Sequence, residues 1–153
     1  MQKSHQHGFT LIELVMVLAL IGVIASFSAA MSLSSLSKSA VTQERDLFVT
    51  LLLRGARAAS LANIGGTAHG VKIDNTNHQY ILFDGTDPNA ASANKRFIPY
   101  TNNAITINKN PPGDTIVFEQ LSGNVTSGDG TLTISNGNTS QSIIIRSNGQ
   151  IDW

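Results

Sequence analysis

An apolar run dominates the start of the chain. From Phe9 the sequence reads FTLIELVMVLALIGVIASFSAAMSL, and after Glu13 the next 24 residues, up to Lys38, carry no charge. About 20 predominantly apolar residues suffice for a helix to cross a bilayer, and a lone segment in lipid satisfies its backbone only as a helix. The pattern predicts a transmembrane helix over 9–37. From Val41 to Ala62 the pattern changes: Phe48, Leu51, Leu52, Ala59 and Ala62 recur at helical spacings. That spacing predicts an amphipathic helix, with Glu44, Arg45, Arg54 and Arg57 off its apolar face and Gly65-Gly66 ending it. One continuous helix from Phe9 to Ala62 would span roughly 80 Å.

Beyond Gly66 the apolar residues fall into short runs between turn signals. Strands are expected at Ala68–Ile73, Gln79–Phe83, Arg96–Tyr100, Ala104–Ile107, Thr115–Phe118, Thr131–Ile134 and Ser142–Arg146. Turns are expected at Asp74–Asn77, Asp84-Gly85, Pro111–Gly113, Gly128–Gly130, Asn136-Gly137 and Asn148-Gly149. Connections this short favour antiparallel pairing. With no second long helical pattern, the fold class is α+β: a long N-terminal helix packed on an antiparallel β-sheet.

Composition sharpens the division. All 13 Asn and all 4 Pro lie at or after Asn63, and both residue types favour turns over helix. The expected organisation is therefore a polar leader over 1–8, an apolar helix over 9–37, an amphipathic helix over 38–62 and a β-rich head over 63–153. Charged residues make up only 13% of the chain and the formal net charge is zero, so no nucleic-acid partner held through phosphates is expected. The absence of cysteine excludes a disulfide framework, a thiolate nucleophile and a thiolate zinc site.

The apolar run admits several explanations. It is longer and more uniform than a buried core helix needs, and longer than the apolar region of a cleaved signal peptide, about 7–15 residues. Ala25, Ala29 and Ala30 nonetheless resemble positions of such a cleavage site. A plain signal anchor, with Lys3 keeping its short N-terminal side cytoplasmic, is the strongest rival. Glu13 argues against it. An intramembrane carboxylate costs up to about 3 kcal/mol at the bilayer centre and less near its edge. An anchor gains nothing from that cost, whereas a subunit whose carboxylate later meets a cation does.

Gly8-Phe9-Thr10-Leu11-Ile12-Glu13-Leu14, behind a short polar leader and ahead of the uncharged run, resembles the cleavage and methylation motif of type IV prepilins and pseudopilins. The resemblance implies that a prepilin peptidase cuts between Gly8 and Phe9 and N-methylates the new amine of Phe9. It also implies that the helix moves from the inner membrane, at an assembly platform, into a filament of pilin or pseudopilin subunits. Glu13 would there pair with the Phe9 amine of a neighbour. The globular part would lie outside the cytoplasm. One departure is the absence of any Pro before Pro88, where many pilins carry one near Ala30; Gly22 and Ser32–Ser39 are softer candidates for bending or local melting.

The ending GARAASLAN, the segments GVKI, YILF and TIVFEQLSGNV, and the closing SIIIRSNGQI resemble the GspH/FimT-like minor pseudopilins and pilins, through Ala56, Arg57, Phe118, Gly123, Gly149 and Ile151. The resemblance implies a structural subunit of a type II secretion pseudopilus, a type IV pilus or a DNA-uptake filament, with a membrane-anchored binding module as the alternative. No enzyme, cofactor or metal is expected. His5 and His7 lie in the leader, and His69 and His78 lack a third ligand. No nucleophile elbow, P-loop or dinucleotide fingerprint is present. Asp84, Asp87, Asn89 and Asp129 could offer oxygens to calcium, but they read first as turn residues.

Overall fold

A computed structural model describes the backbone of residues 10–91 and 93–153 and, within these, all side chains except those of residues 28–35. The chain divides into two compact units, one ending at Leu36 and the other Ser37–Trp153. Helix α1, Leu11–Asp46, is α-helical throughout, including at Gly22 and Ser32–Ser39, so neither interrupts it. The irregularity comes later: seven π-helical residues, Leu47–Leu53, precede α2, Arg54–Leu61.

In the first unit every large apolar side chain from Leu11 to Phe27 is exposed, from 47% at Val17 to 80% at Leu11. Burying one such side chain is worth about 2 kcal/mol. An apolar surface of this extent marks a segment that meets lipid or other protein.

In the second unit the helical stripe differs from the expected one. Val41, Phe48, Val49, Leu52, Leu53, Ala56 and Ser60 are buried, while Leu51 is 55% exposed and Ala62 is exposed. The wider π turn explains the shift: its extra residue rotates the rest of the helix, so adjacent pairs such as Phe48/Val49 and Leu52/Leu53 both face inward. The helix ends within one residue of the expected Ala62, but the expected glycines do not terminate it. Ala62 closes the last turn, Asn63 adopts a left-handed conformation at φ 55°, and a short 3₁₀ turn, Ile64–Gly66, comes next. Asn is the residue besides Gly that best tolerates this conformation.

Among the described residues nine strands complete the unit: β1 His69–Asp74, β2 Gln79–Asp84, β3 Lys95–Pro99, β4 Thr106–Asn110, β5 Thr115–Phe118, β6 Val125–Ser127, β7 Gly130–Ser135, β8 Ser140–Ile145 and β9 Ile151–Asp152. All pairings are antiparallel. They form two sheets, ordered β3-β2-β1-β5-β6 and β4-β7-β8-β9. The short β6 and β9 carry too few residues for a sequence signal, and exist because their neighbours' edges accept them.

One core joins the helix to both sheets, with Phe48 and Leu52 against Val71, Tyr80 and Phe118 of the first and Leu132, Ile134 and Ile143 of the second. The strand β8 keeps the two-residue period, with Ile143 and Ile145 buried and Ile144 exposed. Gly70 pairs with Phe83 across β1 and β2, and the ring lies where a Cβ on Gly70 would stand.

Glu44 is the main departure within the core. Expected on the solvated face, it is fully buried. Oε1 accepts from the Tyr80 hydroxyl at 2.6 Å, and Oε2 accepts from the Thr101 amide at 2.8 Å and from the Thr101 hydroxyl. A carboxylate is tolerated there because donors surround it. Tyr80 in turn contacts the Phe48 and Tyr100 rings at 5.0 and 4.6 Å. Tyr100 donates to Asn75 Oδ1 at 3.0 Å, and Asn75 donates to the Ile107 carbonyl at 2.7 Å. The network thus ties helix, first sheet and second sheet together.

Glu44→Ala should lower stability by about 3 kcal/mol, because the buried Tyr80 hydroxyl loses its acceptor. Tyr80→Phe should cost about 1 kcal/mol in hydrogen bonding. Urea unfolding of the chain in detergent, tracked by the fluorescence of Trp153, measures both. The same tyrosines set an alkaline limit. Burial first, and then the Glu44 carboxylate, push the Tyr80 and Tyr100 hydroxyls well above the ordinary tyrosine range. The unfolded chain releases these protons near pH 10 while the folded chain retains them. Stability is therefore intact below about pH 10 and falls above it, by up to about 1.4 kcal/mol per pH unit per tyrosine. The decline between pH 10 and 11 should be shallower in Tyr80→Phe.

Candidate assembly site

Gly8 and Phe9 lie outside the described residues, as do His5 and His7. Glu13 is described, and it closes a reciprocal cap at the start of α1. Its Oε2 accepts from the Thr10 amide at 3.2 Å and from the Thr10 hydroxyl at 3.1 Å, while its own amide donates to Thr10 Oγ1 at 3.3 Å. Thr10 to Glu13 is the Thr-x-x-Glu spacing of a capping box, which satisfies amides that the first turn leaves free. The helix N-terminus also favours the negative charge. Glu13 therefore has a local role that its place in the apolar run did not reveal. Around it stand the exposed side chains of Leu11, Ile12, Leu14 and Val17. Among the described residues no helix is long and apolar enough to cross a membrane. The expected span over 9–37 includes Phe9 and the side chains of residues 28–35, which lie outside them.

A second group of residues, scattered in sequence, meets in the globular unit. Arg57 Nε donates to the Gly123 carbonyl at 3.2 Å. A Cβ on Gly149, where φ is +78°, would stand 2.1 Å from that same carbonyl oxygen and 2.6 Å from Arg57 Nε. Ala56 and Phe118 are buried, and Ile151 is half-buried at the start of β9. Ser60 completes the joint, donating to the Phe118 carbonyl at 3.0 Å and accepting from the His69 amide at 2.9 Å. Ala56, Arg57, Phe118, Gly123, Gly149 and Ile151 therefore contribute to the region joining the end of α2, the β5–β6 loop and the β8–β9 turn. Gly149→Ala should cost about 3 kcal/mol, combining a backbone clash with left-handed strain. Gly137→Ala is the control: φ is +86° there, with nothing within 4 Å of the added Cβ. It should cost only about 1 kcal/mol. Thermal melts of the two variants measure the difference.

Ser60, His69 and Asp84 form a line that superficially resembles a hydrolase triad, with Ser60 Oγ 3.4 Å from His69 Nδ1 and His69 Nε2 3.4 Å from Asp84 Oδ1. Ser60 is fully buried and its proton is committed to Phe118, so its oxygen is not presented to a substrate. The calcium candidates are engaged in local bonds at two positions: Asp84 accepts from Asn94 at 2.9 Å, and Asp87 accepts from the Asn89 amide at 2.8 Å. Asp129 is exposed. His78 sits in the β1–β2 turn at φ 49°, edge-on to Tyr100. Among the described residues no three His, Asp or Glu side chains are grouped to hold a metal.

An N-terminal helix with an exposed apolar surface and a Thr–Glu cap, leading into an antiparallel α+β unit, defines a pilin-like protein. The family model described as the prokaryotic N-terminal methylation motif matches residues 3–29. The fold is similar to that of the type IV minor pilin FimU of Pseudomonas aeruginosa (strain PAO1). The TM-score is 0.56 at 14% sequence identity, covering 80% of this chain and 90% of the FimU chain in its crystal structure. No curated protein matches the sequence. The chain thus carries a prepilin-type N-terminal motif on a pilin-like fold.

Proposed function

We propose that the protein is a minor pilin or minor pseudopilin, a structural subunit of a type IV pilus or of the related type II secretion or DNA-uptake filaments. The observation that carries this reading is the methylation motif placed on a helix whose large apolar side chains from Leu11 to Phe27 are all exposed. Such a surface suits two successive environments, lipid before assembly and neighbouring helices afterwards. Prepilin peptidase cuts after Gly8, the amine of Phe9 is methylated, and the subunit waits in the inner membrane with residues 38–153 outside the cytoplasm. Partners are the peptidase, the assembly platform and other pilin subunits. The GspH/FimT-like assignment rests on the joint around Arg57, Gly123 and Gly149.

Mass spectrometry of the mature N-terminus tests the reading. The expected product begins at a methylated Phe9. A terminus at Met1, or a cut after Ala25, Ala29 or Ala30, would overturn it in favour of a signal-anchored or secreted binding module.

A further inference from the structure

A cavity of about 540 Å³ opens between α2 and the β8–β9 turn, lined by Arg54, Arg57, Ala58, Leu61, Gly149 and Ile151 among others. Its volume lies within the range of ligand clefts, about 300–1,000 Å³. Its charge is one-sided. Arg54 and Arg57 lie three residues apart on one helix, where like charges repel, and neither forms an ion pair among the described residues. The nearby carboxylate of Asp152 is already engaged: Arg146 donates to it at 2.9 Å and holds it below the usual carboxylate range.

Both guanidinium groups are held in place. Arg57 is fixed through Nε on the Gly123 carbonyl, and Arg54 stacks 4.3 Å above the ring of Trp153. Fixing an arginine in advance removes part of the ordering cost of binding. Beyond the Gly123 hydrogen bond and the Trp153 contact, neither charge has a carboxylate partner among the described residues, and a carboxylate entering the cleft would meet planar donors suited to its geometry. The walls decide between anions. Ala58, Leu61 and Ile151 are apolar, and Leu61 is 44% exposed. They suit the methylene stem of an acidic side chain and an apolar neighbour in the same peptide. A bare phosphate would leave them uncovered.

We infer that this cavity docks an acidic side chain, Asp or Glu beside an apolar residue, from a partner polypeptide. The inference goes beyond the filament reading and requires neither cleavage at Gly8 nor assembly.

Calorimetry on the full chain in detergent micelles tests it, using the capped peptide Ala-Leu-Glu-Leu-Ala, its Gln counterpart and inorganic phosphate as probes. Saturable binding of the Glu peptide is expected, with binding of the Gln peptide weaker by about tenfold or more. Arg54→Gln should weaken the Glu peptide by a similar factor while leaving the melting temperature unchanged to within a few degrees. A charge-retaining Arg54→Lys should recover part of the affinity. Equal binding of the two peptides, phosphate binding as tight as that of the Glu peptide, or no binding of the Glu peptide at millimolar concentration would each overturn the assignment.

Discussion

Gly8→Glu should leave the chain unprocessed, with its leader attached and the protein retained in the membrane fraction. The reasoning is steric and electrostatic. A protease cleft holds its substrate extended, and Gly at the residue before the cut lets the backbone approach closely. Glu would place both a side chain and a carboxylate there, and that carboxylate would lose its hydration in a cleft shaped for a bare backbone. The effect should be close to all-or-none, visible as the mass of the intact N-terminus. Gly8→Ala, which adds a methyl group and no charge, should mature slowly but measurably. Normal maturation of Gly8→Glu would reduce Gly8 to a residue that merely flanks a helix.

Glu13→Ala should be cleaved normally and inserted at least as well as the native chain, but it should fail to enter filaments. In a bilayer the carboxylate is a burden of up to about 3 kcal/mol. In a filament it would meet the Phe9 amine of a neighbour. Breaking a buried pair by removing one partner costs about 3–5 kcal/mol, which corresponds to more than a hundredfold loss of incorporation. The capping box supplies the rival explanation, because Glu13 also bonds Thr10. Glu13→Gln separates the two. Gln preserves the capping box but carries no charge. Pairing predicts that Gln and Ala are both defective, whereas capping predicts that Gln assembles like the native chain. Crosslinking between residue 9 of one copy and residue 13 of another should occur in the native protein and vanish in Glu13→Ala.

Gly8, Phe9 and Glu13 fall within the methylation motif that matches residues 3–29, and such a motif is legible without a fold because it is a short stretch of chain. The strands were legible in outline for a similar reason. The segment Thr115–Phe118 was expected at the limits observed, since its apolar run stands between turn residues. The end of the helix was legible to within one residue, expected at Ala62 and observed at Leu61, but its terminator was read as Gly65-Gly66, whereas Asn63 takes the left-handed turn first. Glu44 was misplaced because a charge is read as solvated unless its partners are known, and Tyr80 and Thr101 stand 36 and 57 residues away.

By itself the sequence determined the apolar helix, the N-terminal methylation motif, the α+β class and the antiparallel connections. These depend on interactions within a few residues: periodicity, turn chemistry and the lack of charge. Tertiary structure decided the rest. It split the strands into two sheets, rotated the helical stripe through a π turn, buried Glu44, and brought Arg57, Gly123 and Gly149 into contact. Among the described residues it also left Arg54 and Arg57 without an ion pair in one cleft. Each of these turns on which distant group meets which. Hydrogen-bond satisfaction and close packing determine that only after the chain has folded.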